Sequence, residues 1–176
     1  IDDSGASIAT TLSYSASNSW NTNAGVGTND KRITYGYLDD GGGGASVTLN
    51  NISYTSYDVY VILASDSGNN APGTYTSEDV TVNGTDVIGS QFSAIGHFAH
   101  GQPSGPWIES DGTTAGYYIL ASNQSGSTLT IVPKNVNGNR VGVAGLVVVD
   151  TTPIPEPSST ALLGLGGLAL ILRRRK

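Results

Sequence analysis

Residues 57–65 read "YDVYVILAS", and the fold turns on them. Val59, Val61 and Leu63 alternate with Tyr60 and Ile62, so the run is β-branched, aromatic or apolar almost throughout. Such a run predicts a central strand, because a strand flanked on both sides has little use for polar positions. "RVGVAGLVVVD" (140–150) has the same character. The expectation is that 57–64 and 141–149 lie centrally, with Val59, Val61, Leu63, Val143, Val147 and Val149 in the core.

Outward from these runs, shorter segments alternate. "ASVTLNNI" (45–52) sets Val47 and Leu49 on one face and Ser46, Thr48 and Asn50 on the other. "EDVTVNGTDVIG" (78–89) holds Asn83-Gly84, a pair that supplies the positive φ angles of a tight hairpin. "GYYILAS" (116–122) and "STLTIVP" (127–133) predict a second paired set across "NQSG". Turn clusters lie at "DDGGGG" (39–44), "DSGNNAPG" (66–73), "GQPSGP" (101–106) and "NVNGN" (135–139). No convincing amphipathic helix separates the strands, so helical crossovers for a parallel sheet are missing. Residues 1–152 are therefore expected to be all-β, one antiparallel β-sandwich.

Composition agrees. The chain has 176 residues, 24 Gly and 12% charged residues, which suits a turn-rich β protein. Residues 1–157 carry 14 acidic and four basic residues, a net of −10, against +4 on the remainder. A body this acidic argues against nucleic-acid binding, which needs basic surface. There is no cysteine, hence no disulfide, thiolate metal site or thiol nucleophile. Residue 1 is Ile, and no basic-then-apolar leader follows it. The expectation is a mature chain or a fragment, which leaves room for an export signal already removed.

No catalytic constellation emerges, and the body is expected to be non-catalytic. His97 and His100 in "GHFAHG" lie between glycines and read as loop histidines. Asp39, Asp40, Asp66, Glu78, Asp79, Glu109 and Asp111 read as solvated loop acids, although carboxylates distant in sequence can converge in space. A structural calcium is a candidate cofactor, since Asp-rich loops supply hard oxygen ligands. Asp150 would then meet Asp2 or Asp3. Trp20 in "SNSWNTN" and Trp107 in "SGPWIES" have two readings: flat platforms for a sugar ring, or covers at the edge of the core. Sequons occur at Asn51, Asn83 and Asn123; in Asn83-Gly84 the hairpin already explains the residues.

The C-terminus departs from all this: "PIPEPSSTALLGLGGLALILRRRK" (153–176). Pro155 and Pro157 hold the backbone extended in a linker, 153–159. An extended, unpaired strand is the form that proteases and transpeptidases bind. The apolar run 160–172 follows. With Ser158 and Ser159 it would span roughly 22 Å as a helix at about 1.5 Å per residue. That is short of a ~30 Å bilayer core, but snorkelling arginines and local thinning cover part of the gap. The basic end 173–176 (Arg173, Arg174, Arg175, Lys176) marks the cytoplasmic side, so the body is expected outside the cytoplasm.

Two family resemblances follow. Pro155-Glu156-Pro157, Ser158-Ser159, the apolar run and the basic cluster, in that order, resemble the PEP-CTERM sorting signal of Gram-negative bacteria. That resemblance implies export, a transient transmembrane helix in the bacterial inner membrane, and recognition by exosortase, a membrane-embedded cysteine transpeptidase-like enzyme. It also implies processing near the Pro-Glu-Pro motif and a cell-surface or extracellular-matrix setting with exopolysaccharide and biofilm. "YDVYVILASD", "VTVNGT" and "GYYILAS…STLTIVP…NRVGVAGLVVVD" resemble a galactose-binding-like jelly roll over about residues 35–150. This second resemblance implies a carbohydrate-binding-module fold, and it lends support to the structural calcium.

Overall fold

The computed structural model describes residues 5, 7–21, 33, 36–39, 44–64, 75–77, 80–87, 92–94, 107–110, 117–133 and 142–153. In chain order the strands are β1 (Thr11–Ala16), β2 (Asn18–Asn21), β3 (Gly36–Asp39), β4 (Ala45–Asn50), β5 (Tyr57–Ala64) and β6 (Tyr75–Ser77). They continue with β7 (Val80–Val82), β8 (Thr85–Asp86), β9 (Phe92–Ala94), β10 (Tyr118–Gln124), β11 (Thr128–Pro133) and β12 (Gly142–Asp150). One five-stranded sheet runs β1-β4-β11-β7-β8, and a second runs β10-β5-β12-β3-β2; β6 and β9 form a separate pair. Every ladder between these strands is antiparallel.

The core lies between the two large sheets. β4 contributes Val47 and Leu49, β11 Leu129 and Ile131, and β7 Val80 and Val82 from one side. From the other come Tyr57, Val59, Val61 and Leu63 of β5, Ile119 and Ala121 of β10, and Val143 of β12. β5 and β12 are both interior strands of the second sheet, as their continuous apolarity predicts. Each fully buried valine or leucine contributes roughly 1.5–3 kcal/mol of transfer free energy.

Two expectations need correction. Val147 and Val149 are not core residues: they are 47% and 42% exposed. The cause is a bulge. Val143 stands opposite Leu63, but the register then shifts so that Gly145 faces Ile62 and Leu146 faces Val61. The one extra residue inverts the alternation. Leu146 and Val148 turn inward against the core, and Val147 and Val149 turn outward. The second correction concerns β10 and β11, which do not pair with each other. β10 pairs with β5, and β11 with β4 and β7, so the link between them crosses from one sheet to the other. Buried Tyr57 pins that crossing, its hydroxyl donating to Gly126 O at 3.1 Å and Ser125 O at 3.4 Å.

The Asn83-Gly84 hairpin forms as expected. Both residues have positive φ, 51° and 79°, and β7 pairs with β8 across them. Asn83 also bridges to β11: its N–H donates to Thr130 O at 2.8 Å, and its Oδ1 accepts from Thr130 N–H at 2.9 Å. Asn51 and Asn123 have positive φ as well, 60° and 57°. The asparagine of every sequon thus sits in the left-handed region, which Asn tolerates better than other side chains. Backbone geometry accounts for all three.

Candidate functional site

The proline-rich C-terminal segment follows the end of β12, and that exit is clamped. Thr151 N–H donates to Ser56 O at 2.9 Å, and the two hydroxyls meet at 3.0 Å. Ser56 N–H donates to Thr152 Oγ1 at 3.4 Å. These bonds tie the last described residues to the residue just before β5, a central strand. Residues 151–153 are nevertheless exposed. The clamp thus presents the start of the proline segment to solvent while the central sheet anchors it. Pro155, Glu156 and Pro157, the run 160–172 and the basic cluster Arg173–Lys176 lie outside the described residues. Among the described residues, no helix is long and apolar enough to cross a membrane.

Asp150 belongs to this exit. Its Oδ1 accepts from Thr152 N–H at 2.8 Å. Bonds from the Thr152 hydroxyl and backbone hold its carboxyl below the usual carboxylate range. The side chain proposed for calcium is thus engaged in a local turn. Its expected partners Asp2 and Asp3 lie outside the described residues, as do His97 and His100. Among the described residues, no cluster of three or more His, Cys, Asp or Glu side chains is placed to hold a metal. Of the other candidate carboxylates, Asp39 is buried on β3, so it is not a solvated loop acid. Glu109 makes a single backbone bridge to Tyr118.

The second sheet carries an aromatic outer face. Tyr60 of β5 and Tyr118 of β10 pack at 5.5 Å between ring centroids, tilted by 53°. With Ile33, Ile62, Trp107 and Val147 they line a shallow hollow of about 410 Å³. Burial, then the Glu109 carboxylate and Tyr60, raise the Tyr118 phenol above its ordinary value. Trp107 meets Tyr117 edge to face at 5.9 Å, and Tyr117 packs against buried Tyr37. Trp107 is therefore a cover over the sheet and a wall of the hollow at once.

Trp20 stands opposite Tyr37, so it shares this face, and it is 50% exposed. It does not line the hollow. The sequence singled out the two tryptophans but not Tyr60, Ile62, Tyr118 or Val147. The available signal for Tyr60 and Ile62 was their alternation with Val59, Val61 and Leu63. Nothing local announced Val147, because the bulge decides its face.

In comparison with protein families, residues 153–176 match the PEP-CTERM protein-sorting motif. Comparison with curated proteins and with solved structures yields no match. The chain therefore carries, directly after its clamped last strand, the motif that marks an exported protein for sorting by exosortase.

Proposed function

We propose that this is a bacterial surface or matrix protein whose β-sandwich plays a non-catalytic, structural or adhesive part in an exopolysaccharide or biofilm setting. The observation that carries the proposal is the sorting motif at 153–176. In this reading the apolar run holds the chain transiently in the inner membrane, with Arg173–Lys176 on the cytoplasmic side. Exosortase takes the extended Pro155-Glu156-Pro157 segment, and the body passes to the cell surface. The test is fractionation in a host lacking the processing enzyme. The full chain should sediment with membranes, and a chain ending at Thr152 should not. Equal solubility of the two would sink the proposal.

A second reading, a carbohydrate-binding module of galactose-binding-like jelly-roll type, is favoured by the aromatic hollow. Flat rings beside an apolar floor suit the C–H face of a sugar. A glycan array decides it: saturable binding lost in Trp107→Ala, with Trp20→Ala as the companion variant and the fold retained in both. A structural calcium at Asp150 with Asp2 or Asp3 belongs to this same reading. It predicts a melting temperature that rises with added calcium and not with magnesium; no response to calcium would remove it.

A further inference from the structure

Among the described residues β1 is the outer strand of its sheet. It pairs with β4 from Thr11↔Asn50 to Ala16↔Ala45, and Ser17 N–H donates to Gly44 O at 3.2 Å in the same register. Residues of an antiparallel strand alternately direct both backbone groups toward the partner and away from it. Ser17 faces β4, so Ser15, Ser13 and Thr11 do too. Leu12, Tyr14 and Ala16 therefore direct their N–H and C=O groups to the open edge.

The side chains of Leu12 and Tyr14 are also uncovered. Leu12 stands opposite Leu49, and Tyr14 opposite Val47. Both partners are buried in the core, which places Leu12 and Tyr14 on the inner face of the sheet. They are nonetheless 57% and 65% exposed. Leu12 also lines a cleft of about 810 Å³ between the sheets, with Ile8, Leu49, Ile52, Tyr54 and Leu146 among its walls. Monomeric proteins protect such edges with charge, proline, bulges or very short strands. β8, an edge strand of only two residues, and β10, which carries a bulge, have such protection. β1 has none: it reads TLSYSA, with an unbroken register over six residues. Residues 4–29 contain no charge at all in a chain of net charge −6, so the paired edges themselves set no like charges against each other.

We infer that β1 pairs antiparallel with β1 of a second copy. A two-fold axis normal to the sheet keeps inner faces on the same side, so facing residues must both point inward or both outward. With Ser13 on the axis, Leu12 of each copy faces Tyr14 of the other. The open-edge N–H and C=O groups of these residues then bond reciprocally, and the apolar side chains meet at the mouth of the cleft. Two five-stranded sheets become one continuous sheet. The pairing consumes the edge, so assembly closes at a dimer. One strand buries well under the ~800 Å² per partner of a standard interface, so the dimer is concentration-dependent.

The absence of cysteine supplies the test. In the proposed register Ser13 faces its own symmetry mate as a non-hydrogen-bonded pair, with Cα atoms about 4.5 Å apart, within disulfide reach. Under mild oxidation in detergent micelles, full-length Ser13→Cys should form disulfide dimers roughly tenfold faster than Ser125→Cys, because pairing raises the effective thiol concentration. Ser125 is exposed in the link between β10 and β11. Ser13→Lys sets like charges face to face and should shift the sedimenting species to monomer. Ser13 is exposed, so both variants should keep the parent's circular dichroism spectrum. In hydrogen exchange, protection of the Leu12 and Tyr14 amides should fall on dilution. Equal crosslinking rates at the two cysteines, sedimentation unchanged by Ser13→Lys, or concentration-independent protection would each overturn the inference. The last result would place another segment of the same chain on the edge.

Discussion

Val61 and Val147 both sit on central strands within a continuous apolar run, yet truncating them should have very different effects. Val61 is fully buried, whereas Val147 is 47% exposed. Val→Ala removes about two methylene equivalents, worth ~1.6 kcal/mol at full burial, at ~0.8 kcal/mol each. A cavity of roughly 50 Å³ adds about 1.2 kcal/mol at ~24 cal/mol per Å³. Val61→Ala should therefore cost about 2–3 kcal/mol. At Val147 about half the transfer contribution is lost, and solvent fills the space, so the cost should stay below about 1 kcal/mol. For a domain of this size that separates melting temperatures by roughly 4–8 °C. The assay is thermal or denaturant unfolding of both variants beside the parent, with Leu146→Ala as a third. The inward-turned Leu146 should cost more than Val147. Equal losses at Val61 and Val147, or a larger loss at Val147 than at Leu146, would refute the bulge and the assignment of faces on β12.

Three further outcomes are expected. Gly142→Ala should be severely destabilising, since a Cβ there would lie 2.2 Å from Tyr37 Cδ2 and 2.5 Å from Leu38 O; a near-parental unfolding midpoint would contradict the packing of β3 against β12. Asn83→Ala should cost about 1–2 kcal/mol, because it loses a side-chain bond to Thr130 N–H and strains a positive φ; chemical denaturation reads it, and Asn83→Asp should recover part of the loss. Asp150 has its folded pKa below the unfolded one, so its contribution is present above the usual carboxylate range and lost as pH falls through the lowered value. Melts of the parent and Asp150→Asn from pH 6 down to pH 2 should therefore converge at the acid end, and a gap that widens on acidification would reverse the sign.

The sandwich was legible because burial on both flanks leaves its mark on composition. β5 shows Val59, Val61 and Leu63 toward the core and Tyr60 and Ile62 on a partly covered outer face, and only Asp58, near its start, is charged. The Asn83-Gly84 hairpin was legible because positive φ at two successive positions is a local demand that few residue pairs meet. The β10–β11 connection was not legible. "NQSG" would suit a hairpin, and the crossover shows only in the long-range pairing of β10 with β5 and of β11 with β4 and β7. The bulge in "VGVAGLVVV" was hidden too, because every residue after Val143 is apolar enough or small enough for either face. The aromatic hollow needed the register of three strands before Tyr60, Tyr118 and Val147 could be seen together. The exit clamp was hidden for the same reason, since Ser56 and Thr151 meet across 95 residues. The sorting motif was the most legible feature, because its recognition depends on local order: prolines, then an apolar run, then positive charge.

Sorting through that motif should show in the intact mass of the protein recovered from the surface fraction of its native host. The expected mass lacks the residues that follow the Pro155-Glu156-Pro157 segment, with the sandwich complete through Thr152. A surface pool that still carries the Arg173–Lys176 end would contradict it.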